Sequence, residues 1–270
     1  MRVIIANILA IYQRELRSYF ASPLAYVVAG IFWLLAGIFY TALLLGPDGV
    51  IQRAALIDLQ SQQLGVPAPP VDAPTILLRF FLEALGFISI FILPVLSMGL
   101  YAEERKRGTL ELLATSPITN WAVALGKLLA VVTFFLTMVL PLLLYQAIAY
   151  AATNPPMSVA IVLLGHLGLI LLAASILSLG MFISSLTDST ILAAIFTFAL
   201  VLLLWMIDSL SKSFSGPLGS VLGHLSLLKH YGNLTQGILD SSSLILFASY
   251  IILGLFLTAQ SIEAFKFQRS

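Results

Sequence analysis

Long apolar runs alternate with short polar breaks along this chain, and the runs are too long for ordinary buried helices. Leu24 to Leu45 carries no charged side chain and is closed by Gly46-Pro47-Asp48-Gly49. A membrane-spanning helix needs about 20 mostly apolar residues. By that measure the pattern predicts spans over about 24–45, 76–101, 121–151, 158–186, 189–207 and 244–262. Pro94 and Pro141 fall inside two of them, and a kink is expected at Pro94. Two polar segments interrupt the series. Residues 46–75 hold four glutamines, three aspartates and several prolines, with a short helix suggested over Val50–Leu64, and residues 208–243 form the second long loop.

Residues 4–20 differ from the spans. Ile4, Ile5, Ile8, Leu9, Ile11, Tyr12, Leu16, Tyr19 and Phe20 recur mostly every three or four positions, while Arg14 and Arg17 fall on the other side with Gln13. This is the pattern of an amphipathic helix lying in a membrane interface, its arginines near anionic head groups; the plainer alternative is the start of a long first span. Ser22-Pro23 separates it from the apolar run at 24–45, because the residue before proline is steered away from helix. The stretch has no uninterrupted apolar core with a small-residue cleavage site after it, so it does not read as a secretory signal.

Composition agrees with this picture. Hydrophobic residues make up 60% and charged residues 9% of 270, with mean hydropathy +1.05, too few charges to cover a water-soluble surface. The expected fold class is an all-α integral membrane protein of six transmembrane helices in a single domain, 1–270. A net charge of +1 argues against nucleic acid as a partner. The chain has no cysteine, which excludes disulfides, thiolate metal sites and thiol nucleophiles.

Charge is concentrated in one place. Glu103, Glu104, Arg105, Lys106, Arg107 and Glu111 lie between two apolar runs, in a chain with 13 basic and 12 acidic residues. Six spans put both termini on one side. Nine of the thirteen basic residues then share that side, so the positive-inside rule predicts cytoplasmic termini and a cytoplasmic charged stretch. Gly108 is expected to divide the stretch into an extension of the second span and a separate short helix capped by Thr109, with Glu111 in its first turn and Leu110, Leu112 and Leu113 on an apolar face. Such a projecting helix suits docking of another protein; a solvated loop that enforces topology is the plainer alternative.

Catalytic signatures are missing. Gly126-Lys127 is followed by Leu128 and lacks the earlier glycine of a phosphate-binding loop, and neither His-Glu-x-x-His nor Gly-x-Ser-x-Gly occurs. His166 reads as a packed histidine bonded to a backbone carbonyl, or alternatively as a proton-relay residue. Gln146 suits an interhelical hydrogen bond, and Lys127 is expected to snorkel toward an interface. Ala174, Ser175, Ser178, Gly180, Ser184 and Ser185 suit close helix packing, or else a polar stripe along a translocation path. An ion-coupled carrier normally needs charge inside its bundle; without it, energy has to arrive from outside the membrane.

Several motifs together resemble one family, the ABC-2 type permease subunits of ABC transporters. They are Glu103-Glu104-Arg105 with Gly108-Thr109-Leu110-Glu111-Leu112-Leu113, then Thr115-Ser116-Pro117 and Gly126-Lys127, and later Leu225–Tyr231 with Gly237-Ile238-Leu239-Asp240. Glu15-Leu16-Arg17-Ser18-Tyr19-Phe20 with Ser22-Pro23-Leu24-Ala25-Tyr26 is similar to the gliding-motility-type branch. The resemblance implies a coupling region at 102–117 that meets a separate cytoplasmic ATPase subunit, which would hold ATP and magnesium. It implies an interface helix beside that region containing Arg14, Glu15 and Arg17. An outer segment containing His230, Tyr231 and Gly237 would form short re-entrant helices. It further implies a second permease copy or a paralogue, and in this branch often an auxiliary membrane protein with a large external domain. Location in a bacterial plasma (inner) membrane, export by alternating access, and no chemical step or cofactor on this chain complete the expectation. Two other readings are a scaffold that transmits force without passing cargo, and an intramembrane enzyme, for which no convergent polar cluster is visible.

Overall fold

The computed structural model describes residues 2–65, 67, 72–110, 118–151, 153, 157–214 and 216–267. Eleven helices are described, and no strand among those residues: α1 (Arg2–Ala21), α2 (Pro23–Leu45), α3 (Val50–Leu64), α4 (Ala73–Ser97), α5 (Gly99–Lys106), α6 (Asn120–Ala151), α7 (Val159–Leu186), α8 (Thr190–Ser213), α9 (Pro217–Leu225), α10 (Leu227–Thr235) and α11 (Ser241–Phe267). Six of them, α2, α4, α6, α7, α8 and α11, contain stretches long and apolar enough to cross a membrane. The motif Thr115-Ser116-Pro117 lies outside the described residues.

Local chemistry accounts for the boundaries. Pro23 opens α2, where its missing N–H costs nothing. Asp72 caps α4 by accepting from Thr75 N, and Ser189 caps α8 by accepting from Leu192 N. Helix α8 runs to Ser213, past the expected edge at 207. Asp208 does not stop it, because its carboxylate pairs one turn on with Lys212 at 2.6 Å.

Helix α7 is the axis of the molecule, packed against α4, α5, α6, α8, α10 and α11. In lipid, helices gain nothing by hiding apolar side chains from their surroundings, so association rests on close packing and hydrogen bonds. The small residues of α7 supply both. Ser175 and Ser178 bond carbonyls of their own helix and reach the Phe247 and Tyr250 carbonyls of α11 at 3.4 and 3.3 Å. Helices α2 and α8 lie at the outside and turn large apolar side chains outward, among them Ile31, Leu34, Ile38, Ile191, Ile195 and Leu203. A water-soluble surface would not tolerate so much contiguous apolar area; a lipid-facing one requires it.

Inside the bundle, His166 holds the Val162 carbonyl through Nδ1 at 2.7 Å and meets Gln146 Nε2 of α6 at 3.4 Å. Gln146 thus makes its interhelical contact, and with a histidine.

Candidate functional site: a charged junction at one end of the bundle

Helix α5 carries Glu103 to Lys106 straight on from α4, yet the two are separate helices. The separation is made by one hydroxyl. Ser184 Oγ of α7 donates to the Met98 carbonyl at 2.7 Å and accepts from Tyr101 N and Ala102 N at 3.1 and 3.0 Å. It therefore stands where an uninterrupted helix would place the bond from Ala102 N to Met98 O. Pro94 lies inside α4, and the interruption comes a turn later, at Met98. At its far end α5 closes on Gly108, whose φ of +70° is open to glycine and strained for other residues. Gly108 N bonds Arg105 O at 3.1 Å and Thr109 N bonds Glu104 O at 3.0 Å, the two-bond helix end that suits glycine.

Two of the predicted docking residues turn inward. Glu104 Oε1 accepts from Lys127 Nζ of α6 at 3.0 Å and from Arg14 Nη2 of α1 at 2.8 Å. Lys127 also reaches Glu15 Oε1 at 3.1 Å, and Arg14 pairs with Glu15 as well. The Lys127 side chain is 2% exposed and its ammonium lies 5.1 Å from the centre of the Tyr101 ring. It does not snorkel, because two carboxylates meet it inside. Burial pushes the Glu15 carboxyl up, but Lys127 and Arg14 outweigh burial and leave it below its ordinary value. The charged form of this group is thus favoured by the fold, and that contribution is lost only as pH falls below the ordinary carboxylate range.

Arg105 also points into the bundle. Its Nη1 donates to the Ser185 carbonyl at the end of α7 at 2.9 Å, and its guanidinium lies 4.9 Å from the centre of the Phe265 ring in α11. Asn120, at the start of α6, donates to Glu263 of α11 at 3.2 Å. Helix α5 is therefore tied to α1, α6, α7 and α11 by side chains from two adjacent positions.

The remaining predicted residues divide by place. Glu103, Lys106, Arg107, Gly108 and Thr109 are exposed, and Glu103 pairs with Arg107 at 3.6 Å. The Thr109 hydroxyl donates to the Glu104 carbonyl at 3.3 Å. The short helix expected beyond it falls mostly outside the described residues, including Glu111, Leu112 and Leu113. Arg17 is exposed on α1. His230, Tyr231 and Gly237 lie at the opposite end of the bundle and are not part of the junction.

Sequence reasoning missed the roles of Lys127, Ser184 and Asn120. A signal for the first was Gly126. A Cβ there would come within 2.9 Å of Ile11 and 3.0 Å of the Ile8 carbonyl, so glycine lets α1 lie directly on α6 and brings Glu15 over Lys127.

At the opposite end, Tyr231 of α10 donates its hydroxyl to the Leu82 carbonyl of α4. A Cβ on Gly86 would lie 2.7 Å from the Tyr231 ring, and one on Gly168 would lie 2.8 Å from Leu234. His230 Nδ1 meets Ser243 Oγ at 2.8 Å, and Ser226 caps α10 while donating to Asp208. The short helices α9 and α10 thus fold back onto the spans. Among the described residues, no group of three or more His, Asp or Glu side chains is placed to hold a metal ion.

Among the described residues, the junction ties α5 to α1, α6, α7 and α11 through ion pairs, one hydrogen bond to a backbone carbonyl and one ring contact. A family model described as ABC-2 family transporter protein matches residues 50–222, well over half of the chain and inclusive of α5 and its exposed charges. No curated protein compared with the chain matches it.

Proposed function

The chain belongs to the ABC-2 family of transporter proteins, and on that premise we propose that it is the membrane half of an ATP-driven exporter. Membership makes it a multi-pass permease subunit, of a kind that is generally non-catalytic and served by a separate ATPase subunit. In this mechanism the ATPase binds ATP and magnesium, meets the exposed residues Glu103, Lys106, Arg107 and Thr109 from the cytoplasm, and drives alternation between inward- and outward-facing states.

The observation that carries this reading is the junction. A push on the outer face of α5 is delivered through Glu104 to α1 and α6, and through Arg105 to α7 and α11. Buried ion pairs suit such a role because removing either partner is costly, so the helices are held in one register. Ser184 adds a joint between α4 and α5 without breaking the polar bonding of the backbone.

Orientation, assembly and branch complete the proposal. Both termini and the junction face the cytoplasm of a bacterial inner membrane, in keeping with the distribution of basic residues. The subunit pairs with a second copy or a paralogue. The branch is the gliding-motility type, with an auxiliary membrane protein carrying an external domain as a further partner.

Capture of the tagged full-length chain from membranes in mild detergent tests the reading. An ATPase subunit that hydrolyses ATP in the captured complex is expected; its absence contradicts the proposal. Because the chain has no cysteine, Ser18→Cys on α1 reports orientation. A membrane-impermeant thiol reagent should reach it from the cytoplasmic side alone.

A further inference from the structure

Two clefts meet beside the junction. One, of about 790 Å³, lies between α1, α2, the α4–α5 joint and α6, and its polar part is lined by Arg14, Glu15, Glu103, Glu104, Arg107 and Lys127. The other, of about 370 Å³, runs between α2 and α4 and is lined wholly by apolar side chains, among them Ile31, Phe39, Phe87 and Phe91. Val28 and Val95 line both, so the charged chamber and the apolar groove adjoin at these two side chains.

This shape, charged at one end and apolar along its length, is that of a lipid. Val28 to Phe39 spans about 16 Å along a helix, close to the roughly 15 Å depth of one leaflet of a ~30 Å hydrocarbon core. Toward the chamber the groove ends at Val28, early in α2, and at Val95, near the end of α4.

The charges choose among head groups. Three carboxylates and three basic groups leave the chamber formally neutral, so a lipid with net negative charge would bring an uncompensated charge next to Glu15, Glu103 and Glu104. Glu104 adds a requirement for a donor. Its Oε1 is engaged by Lys127 and Arg14, while its Oε2 is buried and accepts no hydrogen bond from any described residue, an expensive state for a carboxylate oxygen. A primary ammonium can donate to it; a trimethylammonium has no N–H to give. Arg14 and Arg107, both largely exposed at the chamber's rim, can then receive the phosphodiester.

We propose that the two clefts form one binding site for a zwitterionic phospholipid with a primary amine, a phosphatidylethanolamine, from the leaflet on the junction's side. Its ammonium sits against Glu104, its phosphate at Arg14 and Arg107, and one acyl chain lies in the groove between α2 and α4. The site depends on the membrane character of the chain and not on the identity of any ATPase.

Native mass spectrometry of the delipidated full-length chain, titrated with phosphatidylethanolamine, phosphatidylcholine and phosphatidylglycerol of identical acyl chains, tests it. Phosphatidylethanolamine should bind about tenfold more tightly than either, the size expected for one hydrogen bond to a charged group. Glu104→Gln should abolish the preference. Since that change also disturbs the ion pairs, Val95→Trp serves as a second variant. It plugs the passage without touching a charge, and should weaken phosphatidylethanolamine about tenfold at an unchanged melting temperature. Equal binding of the three lipids, preference for phosphatidylglycerol, or full binding by Val95→Trp overturns the proposal. So does photo-crosslinking from Val95→Cys, unique in this cysteine-free chain, that captures a polypeptide in place of lipid.

Discussion

At the junction, Lys127 is held by carboxylates from α1 and α5, whereas at the opposite end Tyr231 is held by the absence of a side chain at Gly86 and by one carbonyl. The first arrangement is made of long side chains reaching across helices from distant parts of the sequence. The second is made of close surfaces, with Leu234 against Gly168 and Gly237 against Ile161. Charge tolerates small shifts between helices while keeping partners together, because Coulomb attraction falls off slowly with distance. Contact packing does not, since dispersion is lost within a fraction of an ångström to an ångström. The two ends therefore differ in how they can move. The junction can follow a partner and stay joined; the far end is built to hold its shape.

The difference can be broken most severely at Lys127. Lys127→Met leaves Glu15 and Glu104 without their buried counter-ion and is expected to destabilise by about 3–5 kcal/mol, read as a large fall in melting temperature in detergent. Adding Glu15→Gln and Glu104→Gln to the same chain should recover much of the loss, since no buried charge is then left unpaired and Arg14, 59% exposed, keeps its water. No such rescue by charge removal is available at the other end. There, Gly86→Ala pushes a methyl into the Tyr231 ring and should cost about 1–3 kcal/mol; Tyr231→Ala in the same chain should relieve the clash while losing the packing.

Smaller effects sharpen the contrast. Ser184→Ala removes the hydroxyl that stands between Met98 and Ala102, and is expected to cost about 1–2 kcal/mol. Hydrogen exchange should show its effect on α5 and not on α10. Acid separates the two ends by pH. Burial holds His230 below its ordinary value, so the folded chain favours its neutral form, and the unfolded chain takes up a proton first as pH falls. Stability from this group is complete above about pH 6.5 and declines below it, by up to about 1.4 kcal/mol per pH unit. Melting measured from pH 7.5 to 5.5 should show a slope that His230→Gln reduces. The junction's Glu15, favoured in its charged form, contributes no slope in that window.

The helices were legible because lipid imposes a length and an apolar composition on each span, and turn residues such as Gly46-Pro47 and Ser22-Pro23 mark their ends. The suggested helix over Val50–Leu64 was legible for the same local reasons. The extra turn of α8 was not, because Asp208 reads as an end in sequence while its pairing with Lys212 and Ser226 keeps it in the structure. The charged stretch could be singled out, and Gly108 marks the end of α5. What sequence could not tell was which charges face outward. Glu104 turns in because Lys127 lies 23 positions away, and Lys127 is shared with Glu15, 112 positions away. Local periodicity contains no information about partners at such separations. The inward turn of Arg105 likewise depends on the end of α7, 80 positions on.

The proposed function has force from a separate ATPase enter at the exposed face of α5. Its most direct test compares capture of that ATPase by the wild-type chain and by Lys106→Glu/Arg107→Glu, in mild detergent at matched expression. Both side chains are exposed, so stability should change by less than about 1 kcal/mol. Entry of force at α5 requires that the variant melt as the wild type does and lose at least about nine-tenths of the bound ATPase, as expected when interface charges meet their like. Equal capture of the ATPase by both chains would contradict it.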